Sequence, residues 1–201
     1  MIERLRVLIR DCDGVIIVDH VRERNFGVIS DRVRDEITAL SRRYPEKFFL
    51  ADSRKHMGLF KKVIVKCNLS EALQAAGLAE SDGAQVDLAL AASEVLRQRT
   101  RRPVIITMGS DGMTVNQNGE AKIVPALPVE GPIDIVGAGD STIAGVTAAL
   151  CAGASLQEAA VVGNLVASIT IQQIGTTGTA TRQQVGERFE VYQGVVDVST
   201  L

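Results

Sequence analysis

Residues 63–77 read VIVKCNLSEALQAAG, and this stretch sets the fold class. VIVKC (63–67) is a short apolar run of the kind that forms a strand buried on both faces. A short helix follows over about 69–76 and stops near Gly77, which tolerates the left-handed conformation that ends many helices. The same strand-then-helix unit recurs on either side. Upstream, GVIIVDH (14–20) and FFLAD (48–52) are two more buried strands. A charged amphipathic segment at about 30–43 separates them, with Val33, Ile37 and Leu40 on one face. Downstream, AQVDLALAASEVLRQR (84–99) has helical periodicity, and PVIITMG (103–109) is another buried strand. GMTVNQ and EAKIVPA flank Asn118-Gly119, a dipeptide favoured in two-residue hairpin turns. From residue 138 the chain is mostly helical. A small-residue helix covers 138–151, and two capping boxes follow: Ser155-x-x-Glu158 opens a helix over 155–173, and Thr181-x-x-Gln184 opens a shorter one. Strands alternating with helices predict one α/β domain over residues 1–201, a largely parallel sheet covered by helices.

Composition removes several function classes. The 201 residues are 46% hydrophobic and 23% charged with a net charge of −2, which suits a packed core and argues against disorder. Near-neutral charge gives no general attraction to nucleic acid or anionic lipid. With 3% aromatics and no Trp, a base-stacking surface is not expected either. No apolar run reaches the roughly 18 residues of a membrane span. The N-terminus, MIERLRVLIRDCD, interleaves charges with apolar residues, unlike a signal peptide. Cys12, Cys67 and Cys151 are odd in number and widely spaced, so no disulfide framework is expected and a reducing cytoplasm is the default location. His20 and His56 pair with neither cysteines nor carboxylates at metal-ligand spacing, which disfavours zinc and Ser-His-Asp chemistry.

The chemistry is concentrated in Asp134-Ile135-Val136-Gly137-Ala138-Gly139-Asp140-Ser141, which leads straight into a helix. Gly137 and Gly139 permit a tight turn and a close approach of ligand to backbone. The amides of Gly137, Ala138, Gly139 and Asp140 can then converge at a helix N-terminus, where free N–H groups and the helix dipole together attract an anion. Asp140 places a carboxylate beside that site, able to take a proton from an attacking hydroxyl. An anion cradle with an adjacent base is what phosphoryl transfer to an alcohol requires. From spacing alone, a helix cap with two turn glycines explains the same residues.

DIVGAGDSTIAG (134–145) resembles the C-terminal signature of the PfkB/ribokinase family of carbohydrate kinases. Other segments fall in that family's order: ADSR (51–54), KCNLSEA (66–72) with its Asn-x-x-Glu, TMGSDG (107–112) with its Thr-x-Gly-x-x-Gly, and GNLVASITIQQIGT (163–176). Order and spacing are most similar to the heptose-7-phosphate kinase-like members. The resemblance implies a three-layer ribokinase-like fold and ATP-dependent phosphorylation of a sugar or sugar phosphate. It implies Asp140 as general base, with the 137–140 amides holding charge on the transferred phosphoryl group. It implies that Asn68 and Glu71 position Mg²⁺ largely through water, although the same spacing makes an ordinary capping box. Thr107, Gly109 and Gly112 would line the nucleotide phosphates and ribose. Asn164, a polar residue in an apolar helix, would lie by the adenine, or else make a helix–helix hydrogen bond. Arg54 would reach substrate or phosphate, or stay a solvated surface charge. Asp134 would stand near a monovalent-cation site (K⁺) built from backbone carbonyls; the family often has Thr next, where this chain has Ile135.

The resemblance also implies an earlier N-terminal portion with further strands, a Gly-Gly sugar-binding motif and a lid, none of which is found in this sequence. The expectation is a fold truncated at its N-terminus, an open sheet edge and a homo-oligomer. A non-catalytic nucleotide-binding fragment is the alternative. A third reading takes RVLIRDCDGVI (6–16) as the strand-DxDG of a haloacid dehalogenase-like phosphatase, with Asp11 as nucleophile and Asp13 as acid/base. It lacks a second carboxylate after Asp140, where Ser141, Thr142, Ile143, Ala144 and Gly145 follow.

Overall fold

The computed structural model describes residues 1–80 and 83–196. Six strands form one sheet in chain order: β1 (Gly14–Asp19), β2 (Phe48–Ser53), β3 (Ile64–Asn68), β4 (Val104–Thr107), β5 (Met113–Gln117) and β6 (Glu120–Val124). Strands β1 to β4 are parallel, while β5 and β6 return antiparallel. Helix α1 (Ile2–Leu8) precedes β1; α2 (Asp31–Arg43) links β1 to β2; α3 (Leu69–Ala76) and α4 (Gln85–Thr100) link β3 to β4. After β6 come α5 (Ala138–Cys151), α6 (Leu156–Thr170) and α7 (Arg182–Val195).

Side-chain alternation along the strands divides the core in two. Ile17, Phe49, Ala51, Val65 and Ile106 pack with Val33, Ile37, Leu73 and Leu96 from α2, α3 and α4. Leu50, Ile64, Ile105 and Val115 pack with Ile143, Val146, Leu165 and Tyr192 from α5, α6 and α7. Strands β2 to β4 are largely apolar because helices cover both their faces. The arrangement is three layers, helix–sheet–helix.

Local signals act as the sequence predicts. Asn118 (φ 57°) and Gly119 (φ 90°) make the two-residue turn, with Gln117 opposite Glu120. Both residues take positive φ, as a turn matching the twist of a hairpin demands. Gly77 ends α3 at φ 77°, and both halves of the capping boxes form at Ser155 and Thr181.

Two expectations are corrected. Strand β1 is not buried on both faces: it is the sheet edge, and Ile16 and Val18 are exposed. On their face α5 packs Thr147 and Cys151 against Gly14 at the start of the strand. The phosphatase reading fails as well. Ile2, Leu5 and Ile9 share one helical face against the core, so residues 2–8 form a helix rather than the strand that reading needs. Asp11 then lies in a short 3-10 turn and Asp13 just before β1, at the strand's amino end, whereas Asp140 stands beside His20 at its carboxyl end.

Candidate active site

Because β1 to β4 run the same way, they deliver their last residues to one edge of the sheet. Asp19 pairs with Ser53 in register, and Asn68 with Thr107. Helix α5 brings its N-terminus to this edge. A crevice outside the carboxyl ends of parallel strands is where α/β folds bind ligands.

The turn into α5 depends on Gly137, which caps the helix at φ 82° and whose added Cβ would come within 3.3 Å of Thr177. Left-handed backbone is strained for any residue with a side chain. Asp134 braces the turn from below: one carboxylate oxygen accepts the Val136 N–H (3.0 Å) and the other the Gly175 N–H (3.1 Å). Those two bonds hold its carboxyl below the usual carboxylate range.

Among the described residues, the N–H groups of Gly137, Gly139 and Asp140 have no acceptor. That of Ala138 is a correction: it donates to the Ile135 carbonyl at 3.1 Å, closing the turn that reverses the chain before the helix. Three amides, not four, are left at the positive end of a 14-residue helix. Asp140 sits in its first turn with the side chain 52% exposed, facing His20 across 3.9 Å.

The floor of the crevice is an ion pair that sequence reasoning missed. Lys66 in β3 is 3% exposed, and its Nζ donates to Asp52 Oδ2 at the end of β2 across 2.7 Å. Gly139 packs directly on it: a Cβ there would lie 2.9 Å from Nζ. The ammonium donates from beneath a helix N-terminus, with the Asp52 carboxylate offsetting part of its charge. The available signal was a lysine inside an apolar strand, since a charge is buried only when paired.

Asn68 and Glu71 form a complete capping box at the start of α3: Asn68 Oδ1 accepts the Glu71 N–H (2.8 Å) and Glu71 Oε2 accepts the Asn68 N–H (3.0 Å). Burial pushes the Glu71 carboxyl above its ordinary value, and nearby Asp52 adds to this against Lys66 and Arg54. Thr107 at the end of β4 donates its hydroxyl to the Cys67 carbonyl, close by Asn68. Gly109 (φ 61°) and Gly112 (φ 84°) turn the chain after β4. Gly112 admits no side chain, for a Cβ would meet the Val124 carbonyl oxygen at 2.1 Å.

Asn164 does not make the helix–helix hydrogen bond that was one of its two readings. It is buried and donates through Nδ2 to the Val124 (3.2 Å) and Pro125 (2.9 Å) carbonyls, so it holds the segment against which Gly112 packs. Arg54 is exposed, and its backbone N–H donates to the Asp19 carbonyl.

The donors fit Mg²⁺ held through water. Glu71 keeps one carboxylate oxygen outside the capping box, and no group of three metal-ligating side chains stands together among the described residues. Each Asp134 carboxylate oxygen accepts one backbone N–H, and the Ile135 and Ile171 carbonyls accept one each, so every one of these oxygens keeps a second lone pair that a cation could use.

Residues 52–183 match the family model described as pfkB family carbohydrate kinase. The chain belongs to this family. Among relatives of this pfkB chain, the bifunctional protein HldE of Gluconobacter oxydans is 32% identical over 164 residues, 79% of this chain and 33% of that protein. The HldE of Desulfatibacillum aliphaticivorans is 28% identical over 169 residues, 84% of this chain and 33% of that protein. Of solved structures, ribokinase from Thermotoga maritima superposes with a TM-score of 0.71 at 16% identity, covering 92% of this chain and 59% of that one. Phosphofructokinase-2 from Escherichia coli, in complex with potassium, gives 0.75 at 17% identity, covering 96% and 62%. The pfkB chain therefore has the ribokinase-like fold and spans about a third of the HldE proteins.

Proposed function

We propose that the chain binds ATP–Mg²⁺ at the carboxyl ends of β3 and β4 and transfers the γ-phosphoryl group to a hydroxyl of a sugar or sugar phosphate. One observation carries the reading: three acceptorless amides at the N-terminus of α5, a buried ammonium beneath them and an exposed carboxylate beside them. The amides and Lys66 favour anionic phosphoryl oxygens. Asp140 accepts the proton of the attacking hydroxyl. Asn68 and Glu71 hold Mg²⁺ through its waters, and the ion's chemistry is to neutralise phosphate charge. Thr107, Gly109 and Gly112 shape the nucleotide side, with Asn164 acting on it through the Val124–Pro125 backbone. A phosphorylated sugar is the favoured acceptor, from the resemblance to heptose-7-phosphate kinase-like members and the HldE relatives.

A second reading is nucleotide binding without catalysis; the chain covers 59% of the Thermotoga ribokinase. The free edge of β1, with Ile16 and Val18 exposed, supports self-association. Three free cysteines suit a reducing cytoplasm, and no described helix is long and apolar enough to cross a membrane.

Calorimetry with ATP–Mg²⁺ tests the binding half. A coupled ADP-release assay over a panel of sugars and sugar phosphates tests the transfer half. Binding is expected; release that rises with a sugar and falls about a hundredfold in Asp140→Asn establishes the kinase. Binding without sugar-dependent release leaves the second reading, and absence of binding refutes both.

A further inference from the structure

Both histidines of the chain stand beside carboxylates, and one of those carboxylates is Asp140. His20 Nε2 lies 3.9 Å from Asp140 Oδ1, with the two side chains 41% and 52% exposed. The end of β1 is fixed from behind. Asp19, 3% exposed, accepts from Arg34 Nη1 (3.3 Å) and the Ser53 hydroxyl (3.1 Å), and its carbonyl accepts the Arg54 N–H. With Asp19 anchored in the core, His20 as the next residue is left at the crevice beside the first turn of α5. His20 has no side-chain hydrogen bond among the described residues, so no local structural role accounts for it.

We propose that His20 is the second member of a proton-handling pair with Asp140, an inference that rests on Asp140 being the base. The acceptor hydroxyl gives its proton to an Asp140 carboxylate oxygen while its own oxygen bonds the γ-phosphorus. The bridging P–O bond breaks and its electron pair leaves on ADP. The proton then passes from Asp140 to His20 Nε2, and the imidazole releases one from Nδ1 to water, restoring both groups. The 3.9 Å gap is closed by rotation of the imidazole or by one water, as acid–base groups tighten when substrate binds. Histidine suits the task as the side chain that changes charge near neutral pH.

The charged groups on surrounding elements are Asp140 on α5, Asp19 with Arg34 and His56 behind β1, the Lys66–Asp52 pair beneath Gly139, and Arg54 after β2. Of these, Asp140 alone makes an ion-pair contact with His20 among the described residues.

The test begins without nucleotide. Diethyl pyrocarbonate acylates an unengaged imidazole nitrogen, and a carboxylate held against Nε2 hinders its attack there. Labelling of the full chain near pH 6, read residue by residue by mass spectrometry, uses His56 as internal reference. His20 is expected to react about threefold faster or more in Asp140→Asn, with His56 unchanged. An unchanged His20 rate overturns the pair; so does an equal rise at both histidines, which reports a loosened fold. In ATP–Mg²⁺ hydrolysis, His20→Gln is expected to lose about tenfold in Asp140-dependent rate and to recover on adding free imidazole, with nucleotide affinity within about twofold. No loss, or a loss that imidazole leaves untouched, overturns it. Failure of ATP–Mg²⁺ to bind in calorimetry refutes the kinase reading instead, since the labelling arm needs no nucleotide.

Discussion

Lys66→Met removes the ammonium from the floor of the crevice while keeping an unbranched chain of similar length. Its partner Asp52 is 6% exposed, and Nζ is 2.7 Å away, so the substitution leaves a carboxylate in the interior with no cation. Breaking a buried pair from one side costs about 3–5 kcal/mol, because the surviving charge has lost its compensation. Asp52→Asn strands the ammonium and costs about as much. The double variant Lys66→Met/Asp52→Asn strands no charge, only a buried amide, for about 1–3 kcal/mol. The double variant is therefore expected to be more stable than either single one. Against a total stability of about 5–15 kcal/mol, the single variants are marginal at room temperature and are best measured cold.

Urea unfolding followed by circular dichroism, with the slope compared across all four proteins, gives the cycle directly. If the two single costs simply add in the double variant, or if Lys66→Met costs less than about half a kcal/mol, Lys66 and Asp52 do not form the buried pair. Nucleotide binding then separates stability from function. The double variant folds without the ammonium, so a loss of affinity for ATP–Mg²⁺ larger than that for adenosine assigns Lys66 to the phosphates.

Asn164→Ala removes the donor to the Val124 and Pro125 carbonyls, and a loss of about 1–3 kcal/mol is expected in thermal unfolding; a Tm within a degree of the parent refutes it. Gly112→Ala drives a Cβ to 2.1 Å from the Val124 oxygen, whereas at Gly109 a Cβ meets nothing within 4 Å. The Gly109 variant should lose only the roughly 1–2 kcal/mol of left-handed strain, and the Gly112 variant clearly more; equal losses refute the contact. Glu71 is held above its ordinary 4.5 by burial, so the folded state binds its proton more tightly than the unfolded state. Its contribution is full below pH 4.5 and is lost as pH rises through the raised value. Glu71→Gln should gain on the parent protein as urea titrations move from pH 4.5 upward, and parallel curves refute the shift.

The fold was legible where local and tertiary demands agree. VIVKC and PVIITMG are apolar on both faces because both faces are covered, and Asn118-Gly119 takes the two positive φ values that a tight hairpin needs. The small-residue helix falls on 138–151 as its sequence predicts. GVIIVDH has the same composition as the central strands, yet it occupies the sheet edge. An apolar run reports a strand's preference for burial, but not the extent of the layer that covers it. The amino-terminal helix was missed for a related reason: Ile2, Leu5 and Ile9 have helical spacing, but the charges between them suit either a helix or a short strand.

In the site, what could be read was whatever a local backbone pattern encodes. The turn at Gly137, the capping box at Asn68 and Glu71, and the position of Asp140 in the first turn of α5 all follow from residues a few positions apart. The pairing of Lys66 with Asp52 and of His20 with Asp140 joins residues far apart in the chain and depends on strand order. With β2 beside β3, two residues that point to the same face near the strand ends become neighbours. With α5 crossing from β1 toward β3, its first turn meets the end of one strand and the floor made by the others. Asn164 shows the converse. A lone polar residue in an apolar helix announces a buried partner, but its sequence neighbours do not say which one. Here the partner is the backbone of Val124 and Pro125, the segment against which Gly112 packs.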